Sequence, residues 1–284
     1  MKKKLICTIS ILVLAAALCS GCSTAPFKTT DSFASYYAKN KEEVGSDLKG
    51  MASDLAVLSD SEATDPNYQS NDYADLLIND STNEVLESYH CFDRLYPASI
   101  TKVMTALLTL EHGNMDDEIT LKHDINLTEN GAVISTLTKG DTVTVGQVFH
   151  TMLIKSANDC AVILAEYVAG SESKFIDMMN AKAKELGATH THFVNPNGLH
   201  DNNHYTTAYD LYLIFKEAVK YDTFVDTVSS KDYTMTYTTP KKTQINEYMQ
   251  STNYYLLNEF PVPEGVVMYG GKTGTTSMAK SCLI

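Results

Sequence analysis

The residues of this chain best suited to chemistry come in three short groups. In Pro97-Ala98-Ser99-Ile100-Thr101-Lys102 a hydroxyl and an amine stand three residues apart. Three helical steps of about 100° return to the same side of a helix, so Ser99 and Lys102 are expected to face one cavity. An unpaired ammonium in an apolar helix is costly, which lowers its pKa. A neutral amine beside a hydroxyl is a general base, and the hydroxyl it serves is a nucleophile. A place near a helix N-terminus adds a field that favours negative charge on the attacking oxygen or on the oxyanion it forms. The bland alternative for an isolated Ser-x-x-Lys is a capping serine and a lysine whose amine reaches solvent. For that motif alone the bland alternative wins.

Two further groups change the balance. Ser156-Ala157-Asn158 falls at a break between two apolar helical stretches, where a hydroxyl and an amide can point into a cleft instead of satisfying their own helix. Taken singly, it is a cap. Lys272-Thr273-Gly274 follows an apolar stretch and two glycines, placing a cation and a hydroxyl on an edge that a substrate backbone could approach closely. By itself, that is a common tripeptide. The three occur in order, in one domain, each on the kind of element that nucleophilic catalysis needs, and jointly they outweigh the separate bland readings.

Elements must hold these groups in place. Residues 74–78 and 84–89 read as strands around a turn-rich Asn79-Asp80-Ser81-Thr82-Asn83, giving a hairpin. Ile100, Val103, Met104, Leu107 and Leu108 fit a helical period, and Leu110 extends the apolar surface almost all round, so this helix should be central and buried. Further helices are expected over 147–154, 159–168, 173–186 (stopped by Gly187) and 206–221 (opened by Thr-Thr-Ala-Tyr-Asp). Residues 231–237 alternate as a strand, and 266–269 read as another that runs into Gly270-Gly271-Lys272. Strands at both ends with helices between them indicate an α/β (α+β) domain whose termini meet in one antiparallel sheet.

The 284 residues are 44% hydrophobic and 9% aromatic, enough for a sizeable core. The formal charge of −13 deepens to −16 once Lys2, Lys3 and Lys4 leave with a leader, which argues against nucleic acid as a partner. Residues 1–21 have the layout of an export signal: three lysines, an apolar run of about 14 residues, then small residues. The run is too short for a finished span, which takes about 20 residues. Ser20-Gly21-Cys22 resembles a bacterial lipobox with Cys19 where leucine is usual, so Cys22 is a candidate lipid anchor, with ordinary cleavage nearby as the alternative. Residues 22–71 read as a tether with a short helix possible over 32–58, and 72–284 as the catalytic domain. Beyond the leader and Cys22 there remain Cys91, Cys160 and Cys282, a number and spacing that indicate no disulfide framework; Cys160 reads as a buried apolar thiol. His190, His192, His200 and His204 lie within fifteen residues, but loop-like sequence and the lack of a third ligand on a rigid element favour solvated loop histidines over a metal site. No metal or cofactor is expected.

Ser-x-x-Lys, Ser-x-Asn and Lys-Thr-Gly together are the signature of serine β-lactamases and penicillin-binding proteins. With Arg94 to Lys102, Ser156-Ala157-Asn158-Asp159, Phe193-Val194-Asn195-Pro196-Asn197-Gly198-Leu199, Thr206-Thr207-Ala208-Tyr209-Asp210-Leu211 and Ser251-Thr252-Asn253, the chain resembles the D-alanyl-D-alanine carboxypeptidases, penicillin-binding proteins of peptidase family S11, from about Tyr73 to Ile284. The resemblance implies a β-lactamase/transpeptidase-like fold, peptidoglycan pentapeptide stems as substrate, β-lactam antibiotics as inhibitors, and work on the outer face of the membrane in cell-wall synthesis. It implies Ser99 as nucleophile, Lys102 as base, Ser156 as proton relay, Asn158 as a hold on Lys102 and the substrate amide, Lys272 and Thr273 as carboxylate ligands, and the backbone N–H groups of Ser99 and Thr275 as oxyanion donors. A serine β-lactamase is the rival enzyme, disfavoured because no Glu-x-x-Leu-Asn stretch lies between Asn158 and Lys272. Relative to the family the chain stops within the second strand after Lys-Thr-Gly. The resemblance therefore implies a missing last strand and closing helix, unpaired backbone groups, weak activity, and an inert penicillin-binding remnant as the rival from another class.

Overall fold

In the computed structural model, residues 55–58, 73–127, 129 and 132–284 are described. The export signal, Cys22 and most of the tether lie outside them; of the short helix expected over 32–58 only 55–58 are described, and these are irregular. The chain divides into two units, 1–61 and 62–284, and every element named here belongs to the second.

Asp75–Asn79 (β1) and Glu84–Tyr89 (β2) form the expected antiparallel hairpin, with Asn83 at φ 55, a conformation that asparagine tolerates in a turn. A 3-10 turn, Ala98–Thr101, then runs into Lys102–His112 (α1), in which every residue from Lys102 to Thr109 is buried. That burial follows from apolar residues on nearly all sides. Around α1 pack Val145–Ile154 (α2), Asn158–Ala169 (α3), Glu172–Glu185 (α4) and Ala208–Ala218 (α5). Side-chain caps open three of these helices: Thr144 accepts from Gln147 N, Ser171 from Lys174 N and Thr207 from Asp210 N. The helix expected over 206–221 runs from Ala208 to Ala218, and a further short helix, Asp222–Val228 (α6), follows it. The change of direction folds the buried Phe224 back against Phe215, ring centroids 5.7 Å apart.

Glu118–Thr120 (β3), Thr142–Thr144 (β4), Asp232–Thr238 (β5) and Gln244–Gln250 (β6) form a sheet in that order. β3 and β4 are too short to carry an alternation signal. β6 escapes notice because Glu247 occupies an inward register position between Ile245 and Met249. The strand expected over 266–269 is not one: Val266, Val267 and Tyr269 are exposed in irregular backbone. Pairing begins later, where Thr273–Thr276 (β7) meets Lys280–Leu283 (β8). Nor do the two ends share one sheet, because β1–β2 and β7–β8 are separate ladders. Residues of β1 and β8 both line a cleft of about 1650 Å³, and no strand bridges it among the described residues. The helical cluster with antiparallel strands is the α/β (α+β) class expected.

Candidate active site

The chain turns sharply just before Ser99, where Ala98 takes φ 47, a left-handed conformation that costs a non-glycine residue on the order of 1–3 kcal/mol. Two glycines close on this turn. A Cβ on Gly198, itself at φ +85, would sit 1.9 Å from the Ala98 carbonyl oxygen, and one on Gly274 would sit 2.9 Å from the Ser99 nitrogen. Only glycine lets a loop and the β7 backbone approach the Ser99 turn so closely.

The amine of Lys102, fully buried, lies 2.9 Å from Ser99 Oγ, 2.8 Å from Asn158 Oδ1 and 2.6 Å from the Asn197 carbonyl oxygen. A neutral amine has two N–H donors and one lone pair. Two carbonyl oxygens take the donors, which leaves the lone pair for the Ser99 hydroxyl. The electrostatics agree: burial first, then the nearby Lys272, hold Lys102 well below the usual lysine range, against weaker opposing pulls from Cys160 and Asp159.

Ser156 sits at the break between α2 and α3, as its sequence position suggested, with φ 63. Its Oγ accepts from Lys272 Nζ at 2.9 Å, and the same nitrogen donates to the Thr273 carbonyl at 2.7 Å. Lys272 is 1% exposed, and burial lowers its pKa to about 7. Thr273 bonds to Thr252 through their hydroxyls and, with Thr275, lines the cleft alongside Ser99, Ser156 and Asn158. Asn158 Nδ2 donates to the Val133 carbonyl at 3.0 Å, so both ends of this amide are engaged. Ser99, Lys102, Ser156, Asn158, Lys272, Thr273 and Thr275 are thus brought to one place from three separate segments.

The surroundings hold that place rigid. Asp159 accepts from the backbone and hydroxyl of Ser135, and Glu247 accepts from Thr136 and pairs with Lys155. These contacts tie down the segment that carries Val133. Lys155, next to Ser156, is therefore already committed to Glu247. Cys160 is buried, as expected.

Sequence reasoning missed two contributors to the site. The Asn197 carbonyl is one, and the glycine-containing Asn195-Pro196-Asn197-Gly198 was its only signal. The other is His204, expected as a solvated loop histidine but only 2% exposed. Its Nε2 lies 2.7 Å from Thr101 Oγ1. His190, His192 and His200 are exposed.

Comparison with known proteins gives this geometry a context. The family model described as D-alanyl-D-alanine carboxypeptidase, Peptidase S11, matches residues 59–284. The D-alanyl-D-alanine carboxypeptidase DacF of Bacillus subtilis is 35% identical over 212 residues, covering 73% of this chain and 52% of that protein. DacC of Escherichia coli is 32% identical over 213 residues, 72% of this chain and 50% of that one. The chain spans about half the length of these curated relatives. The crystal structure of the Streptomyces K15 DD-transpeptidase superposes with a TM-score of 0.65 at 29% identity, covering 73% of this chain and 81% of that one. The chain belongs to the D-alanyl-D-alanine carboxypeptidase family.

Proposed function

We propose that this member of the family is a serine-type D-Ala-D-Ala carboxypeptidase, removing the terminal D-alanine from peptidoglycan stem peptides through an acyl-enzyme on Ser99. The observation that carries this reading is the buried Lys102 amine, which lies 2.9 Å from Ser99 Oγ while the carbonyl oxygens of Asn158 and Asn197 accept from it. Ser99 Oγ attacks the carbonyl between the two D-alanines, and its proton passes to Lys102 Nζ. Negative charge on the tetrahedral intermediate is met by the N–H groups of Ser99 and Thr275; a donor of this kind is typically worth about 10²–10³ in rate. Ser156 Oγ gives a proton to the departing D-alanine nitrogen, with the Lys272 amine 2.9 Å behind it to replenish that proton. The substrate's terminal carboxylate is received by Thr273, with the charge of Lys272 beneath it, and Asn158 keeps Lys102 aimed. Water then attacks the ester, its proton passing through Ser156 to Lys272 while Lys102 returns its proton to Ser99 Oγ, so one water is consumed, the side chains regain their starting protons, and one D-alanine and a shortened peptide are released. A β-lactam, imitating the D-Ala-D-Ala end, acylates the same serine and leaves slowly.

Labelling with fluorescent penicillin, followed by mapping of the modified peptide, tests the assignment. An adduct within residues 95–102 that disappears in Ser99→Ala, with D-alanine release lost in parallel, is the expected result. A label that persists in Ser99→Ala overturns it. Many turnovers of nitrocefin per enzyme would instead favour a β-lactamase.

The leader and Ser20-Gly21-Cys22 support export to the outer face of the cytoplasmic membrane, with Cys22 acylated. Incorporation of labelled palmitate that survives in Cys22→Ala would sink the lipid anchor.

A further inference from the structure

The segment 193–204 holds the turn that carries Ser99 and the start of α1 at four points. Gly198 lies against the Ala98 carbonyl, the Asn197 carbonyl accepts from Lys102, and the Pro196 carbonyl accepts from Thr105 Oγ1 at 2.6 Å. The fourth contact is His204 with Thr101, the residue just before Lys102, and Thr101 is 1% exposed. His204 Nδ1 accepts from the backbone N–H of Val194 at 3.1 Å. Because a backbone N–H can only donate, Nδ1 carries the lone pair, and the neutral ring's proton is on Nε2, aimed at Thr101 Oγ1. The ring of Phe193, edge-on with its centroid 5.6 Å away, fixes the plane of the imidazole. Burial keeps this ring neutral, its pKa lowered to about 4.

We propose that His204 is a positioning residue for acylation, its Nε2–H holding Thr101 so that the turn carries Ser99 Oγ within reach of the Lys102 lone pair. This rests on the reading of Ser99 as nucleophile and Lys102 as base. Loss of the contact lets the turn shift without removing any group that touches substrate, so the maximal acylation rate should suffer and initial binding should not.

The test uses the full chain and two pairs of variants. Thr101→Val keeps the shape and removes the acceptor, whereas Thr101→Ser keeps the hydroxyl. His204→Asn retains an acceptor for Val194 but falls short of Thr101, whereas His204→Gln can still donate to it. Thr101→Val and His204→Asn are each expected to lower the maximal rate of penicillin acylation about tenfold, with the half-saturating concentration within about twofold of wild type. The serine and glutamine variants should recover most of that rate. The two losses should not add in the double variant, since both break the same contact. Amide hydrogen exchange over 98–105 should be faster in Thr101→Val. Wild-type acylation in Thr101→Val, or a lowered Tm with unchanged exchange over 98–105, overturns the inference. Should the wild-type chain not be acylated at all, the nucleophile assignment fails, and exchange over 98–105 alone then decides whether His204 holds the turn.

Discussion

At the scale of single residues, the proposed mechanism gives two buried amines different tasks because their surroundings differ. Lys102 meets only carbonyl oxygens and a hydroxyl, and with Lys272 nearby it is driven well below the ordinary lysine range. Lys272, lowered to about 7, is close to half charged at neutral pH. In the proposed mechanism Lys102 acts as a neutral base and Lys272 as a cation, so their pH dependences have opposite sign. Activity should fall at acid pH as Lys102 takes up a proton, and at alkaline pH as Lys272 gives one up. We expect the alkaline limb of kcat/KM, which reports free enzyme, to fall near pH 7. The corresponding limb of kcat should lie higher, because a bound carboxylate raises the pKa of Lys272. Replacing Lys272 with arginine, which does not titrate in this range, should erase the alkaline limb whatever it does to the overall rate. A flat kcat/KM profile between pH 6 and 9 for the wild-type chain would remove Lys272 from the mechanism.

At the scale of elements, the site depends on how closely β7 lies along the turn that carries Ser99. Gly274→Ala should push the strand away, since the new Cβ would fall 2.9 Å from the Ser99 nitrogen and 3.1 Å from Ala98 Cβ. We expect a loss of about tenfold or more in acylation, because small misplacements at reacting groups have large effects on rate. The control is a defect of stability alone. Thr207→Ala removes the side-chain acceptor for Asp210 N at the start of α5, which should cost about 1 kcal/mol, read as a lower denaturation midpoint, with the acylation rate unchanged. Equal effects of both substitutions on acylation would show that the rate simply follows stability, and the role given to β7 would be withdrawn.

At the scale of the whole molecule, burying ionisable groups in an uncharged form makes stability depend on pH. His204 and Lys272 both have lower pKa values in the folded chain than their ordinary 6.5 and 10.5. In the window between the two values the unfolded chain binds the proton and the folded chain does not, so stability falls as pH falls. For Lys272 the window runs from about 10.5 down to about 7, and for His204 from about 6.5 down to about 4. Asp201 opposes the His204 shift, while His192, His200 and Lys102 reinforce it. We therefore expect Tm to drop on acidification from pH 6.5 to 4, and the drop to be smaller in His204→Gln, which has nothing to protonate. If both chains lose Tm equally over that range, the buried neutral histidine is not its source.

Ser-x-x-Lys, Ser-x-Asn, Lys-Thr-Gly and the apolar period of α1 were all legible, because spacing along a helix and a turn between helices are properties of contiguous residues. So were the hairpin of β1 and β2 and the cap at Thr207. The partners that make the chemistry work were not. The Asn197 carbonyl reaches Lys102 across 95 residues, and His204 reaches Thr101 across 103. Burial turned a histidine with the local look of a solvated loop into a neutral donor, and it turned Glu247 into the anchor of Lys155. It also left 266–269 exposed where a local apolar run suggested a strand. Local chemistry chose the reacting groups, and long-range packing chose their charge states and what they face, because desolvation and hydrogen-bond partners exist only once distant segments meet.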